Sequence, residues 1–168
     1  MVPDQVVATD IDETPLKDEL PRQAAIRLAR AKAAAAATPG AFVLAADTVV
    51  GVGRRILPKA TTLDEARSCL ALLSGRRHHV WSAVVVTAPD GRQAERLTDT
   101  QVSFARLTPQ QIKTYLATDE WSGKAGGYAI QGHAAAHIRW LAGSYSAVVG
   151  LPLFETAQLL RGLGYPLP

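Results

Sequence analysis

The segment VLAADTVVG, residues 43–51, decides how this chain is read. Most of it describes a buried β-strand, yet an Asp-Thr pair, Asp47 and Thr48, interrupts the run with apolar residues on both sides. Aspartate is among the poorest strand formers and the costliest residues to bury. A carboxylate placed there calls for a chemical reason, and the flanking segments narrow what that reason is.

Upstream, QVVAT (residues 5–9) is a short strand candidate, followed by an acidic loop, DIDETPLKDELP. Pro21 opens an alanine-rich helix that ends at Pro39-Gly40. Downstream, residues 41–58 read as a strand, a glycine bend and a second strand. TLDEARSCLALLSG reads as a helix capped by Thr61 or Thr62, with Gly75 after its end. Residues 78–107 form a hairpin turning at Pro89-Asp90-Gly91, and Thr108-Pro109 start the next helix. A glycine-rich loop, SGKAGGYAIQGH, leads to a strand in AAHIRWLAG, and the last helix starts around Pro152. Strands and helices mix without strict alternation, which predicts an α/β or α+β domain with a mixed sheet. There is no internal repeat and no linker.

Composition fits one globular domain: 168 residues, 48% hydrophobic and 20% charged. Apolar runs are too short to span a bilayer, and no signal-peptide pattern is present, so no membrane association is expected. The single cysteine, Cys69, excludes an internal disulfide, fits a cytoplasmic location and sits among leucines as core filling. The net charge of +3 is spread along the chain, which argues against nucleic acid as a partner and suits a small polyanionic ligand.

Several polar residues break the pattern. Ala25, Leu28, Ala29 and Lys32 share one helix face, so Lys32 either snorkels to the rim or points into a site. Lys59 follows the strand expected beside Asp47; Glu13 lies in the acidic loop; Gln131 sits among Gly126, Gly127 and Gly132. Taken singly, each has a structural explanation. As a set, two carboxylates, two lysines and an amide suit a metal-assisted reaction on a phosphate ester or anhydride, with the amide able to read a base edge. The four histidines lack metal-site spacing and read as structural.

DIDET, ELP, RLARAKA, AADTVV, Pro58-Lys59, LSGRRHHV, VSFARL, KAGGYAIQG and SYSAVVGLPL, in this order over nearly the whole chain, resemble the Maf (septum-formation-inhibitor-like) nucleoside triphosphate pyrophosphatases. KAGGYAIQG and AADTVV are the most specific. The resemblance implies an elongated, two-lobed α/β domain over residues 1–168 with a central mixed sheet. It also implies a divalent cation, Mg²⁺ or Mn²⁺, commonly a homodimer, and hydrolysis of a nucleoside triphosphate to the monophosphate and pyrophosphate. Carried across, Asp47 corresponds to the catalytic carboxylate, Glu13 and Asp47 to the metal-organising acids, and Lys32 and Lys59 to the phosphate-contacting lysines. Thr48 and Gln131 correspond to positions that set base specificity. The Asp-Thr plus Ile-Gln-Gly combination resembles the dTTP/UTP subgroup.

The family's opening strand and Ser-x-Ser-Pro-Arg-Arg loop have no counterpart here, Met1 standing where the family's second strand starts. The expectation is a misassigned start or a shortened chain. The alternative reading is an impaired homologue that binds nucleotide or regulates division. Smaller departures are Ala60 after Lys59, Ala105 with Arg106 one place late, Gly123 before Lys124, and Ala147 before VVGLPL.

Overall fold

The computed structural model describes residues 3–167. Its centre is a five-stranded sheet in the order β2-β1-β3-β4-β5, with β1 at Val43–Val52, β2 at Arg55–Leu57, β3 at Arg77–Thr87, β4 at Gln93–Phe104 and β5 at Ile138–Ala142. Helices α1 (Pro21–Ala35), α2 (Leu63–Leu73), α3 (Pro109–Leu116), α4 (Tyr145–Val149) and α5 (Leu153–Gly162) flank it. The expected α/β class with helices around a central sheet is observed. Every neighbouring pair of strands is antiparallel, however, where a mixed sheet was expected. The connections explain this. Gly53 turns β1 into β2 with φ +58°, and the Asp90-Gly91 turn joins β3 to β4, so these two pairs are hairpins. The pairs β1–β3 and β4–β5 are joined by longer connections that carry α2 and α3 and return the chain in the opposite direction.

Local signals act as the sequence predicts. The Thr62 hydroxyl accepts from the Glu65 amide and opens α2, and Thr108 does the same from Gln111 for α3. Residues 5–9 differ from expectation. They form no strand; Val6 and Val7 are exposed, and no ladder partner lies beside them among the described residues. A β pattern forms a strand only where a neighbour supplies its hydrogen bonds. Helix α4 and the 3₁₀ turn His133–His137 were not anticipated, both being too short for periodicity to reveal.

The strands' alternation sorts the core. One face of the sheet carries Ala45, Val49, Ala83 and Val85 against Ala25, Leu28 and Ala29 of α1. On the other face, Val50, Val80, Val102 and Phe104 pack with α2 and α3, and Val84 and Val86 pack with α5. Between those two clusters runs a polar seam, Thr48, Ser82 and Thr100, over which α4 is held. Beyond β2, which pairs only Val50, Gly51 and Val52, the outer edge of β1 has no strand partner among the described residues. The candidate site lies along that edge.

Candidate functional site

Asp47 occupies a core position between Ala45 and Val49, facing α1, and is only 4% exposed. The helix face that buries Ala25, Leu28 and Ala29 presents Lys32 one turn further on. Its Nζ lies 2.5 Å from Asp47 Oδ1 and 2.8 Å from Glu13 Oε1. Lys32 therefore points into the site rather than to the rim. The other Glu13 oxygen accepts from Lys59 Nζ. Two carboxylates and two ammonium groups thus alternate as Asp47–Lys32–Glu13–Lys59, bringing four of the expected residues together.

Two backbone devices aim these side chains. Residues 58–60 are laced to the glycine-rich loop by Gly126 N–H to Pro58 O (3.0 Å), Ala60 N–H to Lys124 O (3.1 Å) and Gly123 N–H to Ala60 O (2.8 Å). Lys59 emerges from this seam and is directed by backbone pairing on either side of it. The loop seats closely because Gly126 takes φ +70° and a Cβ there would come within 2.9 Å of Val50 Cγ1. Glu13, by contrast, sits in a segment without helix or strand. That segment is pinned by Arg27, whose guanidinium grips Glu19 in a fork at 2.6 and 2.8 Å and also donates to the Thr14 carbonyl. This clamp escaped sequence reasoning. The one available signal was an arginine on the same helix as Lys32, facing an acid just ahead of Pro21.

Burial pushes the Asp47 carboxyl above its usual range, with the Lys32 ammonium pulling the other way. Its Oδ2 is buried and has no hydrogen-bond partner among the described residues. Glu13 has the opposite balance: desolvation pushes it up, but Lys32 and Lys59 together hold it below the usual range. Desolvation lowers the Lys32 pKa, and its bonds to Asp47 and Glu13 more than reverse this, keeping the ammonium charged. A buried carboxylate with one free oxygen and raised basicity can take a proton from a bound water or hold one side of a hard cation. The lysines can transfer their contacts to an incoming phosphate chain.

Two adjoining cavities of about 240 and 260 Å³ share Asp47, Thr48, Lys59 and Ala125. The first is also lined by Lys32, Tyr128, Gln131 and the Val148–Gly150 turn. Gln131 stands exposed at this lip, and Thr48 lies on its floor, bonded to Ser82. All six expected residues therefore line this pair of cavities. Two of the four histidines keep to structural places: His78 is buried against Tyr128, and His79 stacks on Trp81.

Comparison with known proteins agrees over nearly the full length. The sequence profile described as Maf-like protein matches residues 1–163. A dTTP/UTP pyrophosphatase of Granulibacter bethesdensis is 60% identical over 183 residues, covering 98% of this chain and 85% of the relative. One from Gluconobacter oxydans is 63% identical over 169 residues, covering 96% and 78%. One from Caulobacter vibrioides is 58% identical over 167 residues, covering 98% and 86%.

Proposed function

The chain belongs to the Maf-like protein family, and from that premise we propose that it is a nucleoside triphosphate pyrophosphatase acting on dTTP and UTP. It hydrolyses the α–β anhydride to the nucleoside monophosphate and pyrophosphate. The relatives named dTTP/UTP pyrophosphatase support the substrate class. The observation that carries the mechanism is the buried Asp47 with one unpartnered oxygen beside Lys32, at the wall shared by both cavities.

Lys32 and Lys59 bind the phosphate chain. Both are paired to carboxylates, so binding exchanges protein carboxylate for phosphate oxygens at each ammonium. Asp47 accepts the proton of the attacking water, a role its raised pKa strengthens. Asp47 and Glu13 are oxygen donors that fit Mg²⁺ or Mn²⁺, and Asp47 Oδ2, with no hydrogen-bond partner among the described residues, would be one of the atoms that hold it. Such a cation, when bound, would supply charge neutralisation and a lowered pKa for coordinated water. Thr48 and Gln131 meet the base. The domain acts as a homodimer, for which the exposed Tyr145, Val149, Leu153 and Phe154 around the α4–α5 corner offer an apolar face. None of the helices among the described residues is long and apolar enough to cross a membrane, and we place the enzyme in the cytoplasm.

The test is pyrophosphate release from a panel of nucleoside triphosphates with Mg²⁺ or Mn²⁺. Release from dTTP and UTP above the purine nucleotides is expected. An inert chain that still binds nucleotide would instead favour the non-catalytic, regulatory reading.

A further inference from the structure

Thr48 and Ser82 are direct cross-strand partners on β1 and β3, with their hydroxyl oxygens 2.9 Å apart. Ser82 is fully buried and its Oγ lies 2.6 Å from the Ala147 carbonyl in α4. A carbonyl only accepts, so the single Ser82 proton is committed to Ala147. The Thr48–Ser82 contact then requires the Thr48 proton. The only other protein acceptor within its reach among the described residues is the Gly150 carbonyl, at the long distance of 3.5 Å. By either route the Thr48 hydroxyl has no proton left for the cavity and presents lone pairs alone.

We infer that Ser82 is a positioning residue for base selection: by holding the Thr48 proton inward, it makes Thr48 an acceptor that favours bases with a ring N–H over bases with a bare ring nitrogen. The inference rests on the nucleotide reading of the site and deepens it. Uracil and thymine carry N–H at the ring position where cytosine carries a lone pair, so the same hydroxyl that welcomes the first two meets the third lone pair to lone pair. Gln131 is a poor sole discriminator, because its exposed amide can turn either its donor or its acceptor face to the ligand. A hydroxyl locked from behind by a buried partner cannot adapt in that way. This gives the polar seam beneath α4 a purpose beyond anchoring the helix.

The test compares UMP with CMP by calorimetry and UTP with CTP by kcat/KM, in wild type, Ser82→Ala, Thr48→Val and the double variant. The wild type is expected to prefer the uracil member by about tenfold or more, and Ser82→Ala to reduce that preference to about threefold or less. Thr48→Val, which keeps the shape and deletes the hydroxyl, should narrow the preference without disturbing buried Ser82. In the Thr48→Val background, Ser82→Ala should change it no further. Ser82→Thr, which restores a hydroxyl, should recover the preference. An unchanged preference in Ser82→Ala, or an equal shift in both backgrounds, overturns the inference, as does a wild type that binds UMP and CMP equally or binds neither. If no triphosphate is hydrolysed but UMP and CMP behave as expected, the pyrophosphatase reading falls and the role of Ser82 stands.

Discussion

Asp47 holds a charge in a place that favours its neutral form, and that conflict separates catalysis from stability. Its folded pKa lies above the ordinary value of 3.8 because of burial. The stability linked to it is therefore fully present below that value and is lost as pH rises through the folded pKa. At neutral pH the ionised side chain is a net burden, eased by Lys32. Asp47→Asn removes the charge, keeps the shape and leaves Lys32 its contact with Glu13. Pyrophosphate release should fall by at least about a hundredfold, the usual range for a lost general base. The melting temperature at pH 7 should be no lower than that of the wild type. Retained turnover would remove Asp47 from the proton-accepting role.

At the scale of elements, the glycine-rich loop is a structural part as much as a functional one. Gly126→Ala places a Cβ at φ +70° against Val50 and should cost about 1–3 kcal/mol in denaturant unfolding. It should also raise KM for nucleotide, since the same loop laces residues 58–60 and aims Lys59. A variant with unchanged stability and KM would show that the loop seats elsewhere. Element by element, the sequence disclosed what rests on local chemistry. Thr62 and Thr108 as caps, the turns at Gly53 and Gly91, and the helix face ending in Lys32 all follow from neighbours a few residues away. What stayed hidden depends on distant partners. Residues 5–9 carry a strand's pattern without a strand beside them. Arg27 meets Glu19 only because the loop folds back on α1. Ser82 looks like any small strand residue until β1 and α4 close over it. Asp47 and Lys32 were legible because each breaks the burial pattern of its own element. Glu13, Lys59 and Gln131 lie outside the helices and strands and stood out only as a set, whereas a buried serine breaks no pattern.

Across the whole molecule, His78 sets a limit on acid tolerance. Its ring is fully buried, with Nε2 2.8 Å from the Tyr128 hydroxyl and Phe104 alongside. Burial lowers its pKa from 6.5 to about 4. A lowered folded pKa means that the unfolded chain takes up the proton first, so stability is full above pH 6.5 and is lost as pH falls through about 4. The loss amounts to about 3 kcal/mol at most by linkage. Denaturant unfolding at pH 7 and pH 4.5 should show this decline, and His78→Phe should flatten it. An equal slope in the variant would assign the acid sensitivity to the carboxylates instead.

The site is also assembled from parts with different lifetimes. Asp47 is carried by a strand hydrogen-bonded to β3 along most of its length, whereas Glu13 arrives on a segment held largely by the Arg27 clamp and the two lysines. Amide hydrogen exchange should resolve the two: β1 opening only with the whole domain, residues 12–19 opening locally and far more often. Arg27→Ala should speed exchange over residues 12–19 and leave β1 untouched, and equal exchange in both proteins would disprove the clamp. One carboxylate of the pair is thus built into the sheet, while the other depends on a loop and the arginine that fastens it.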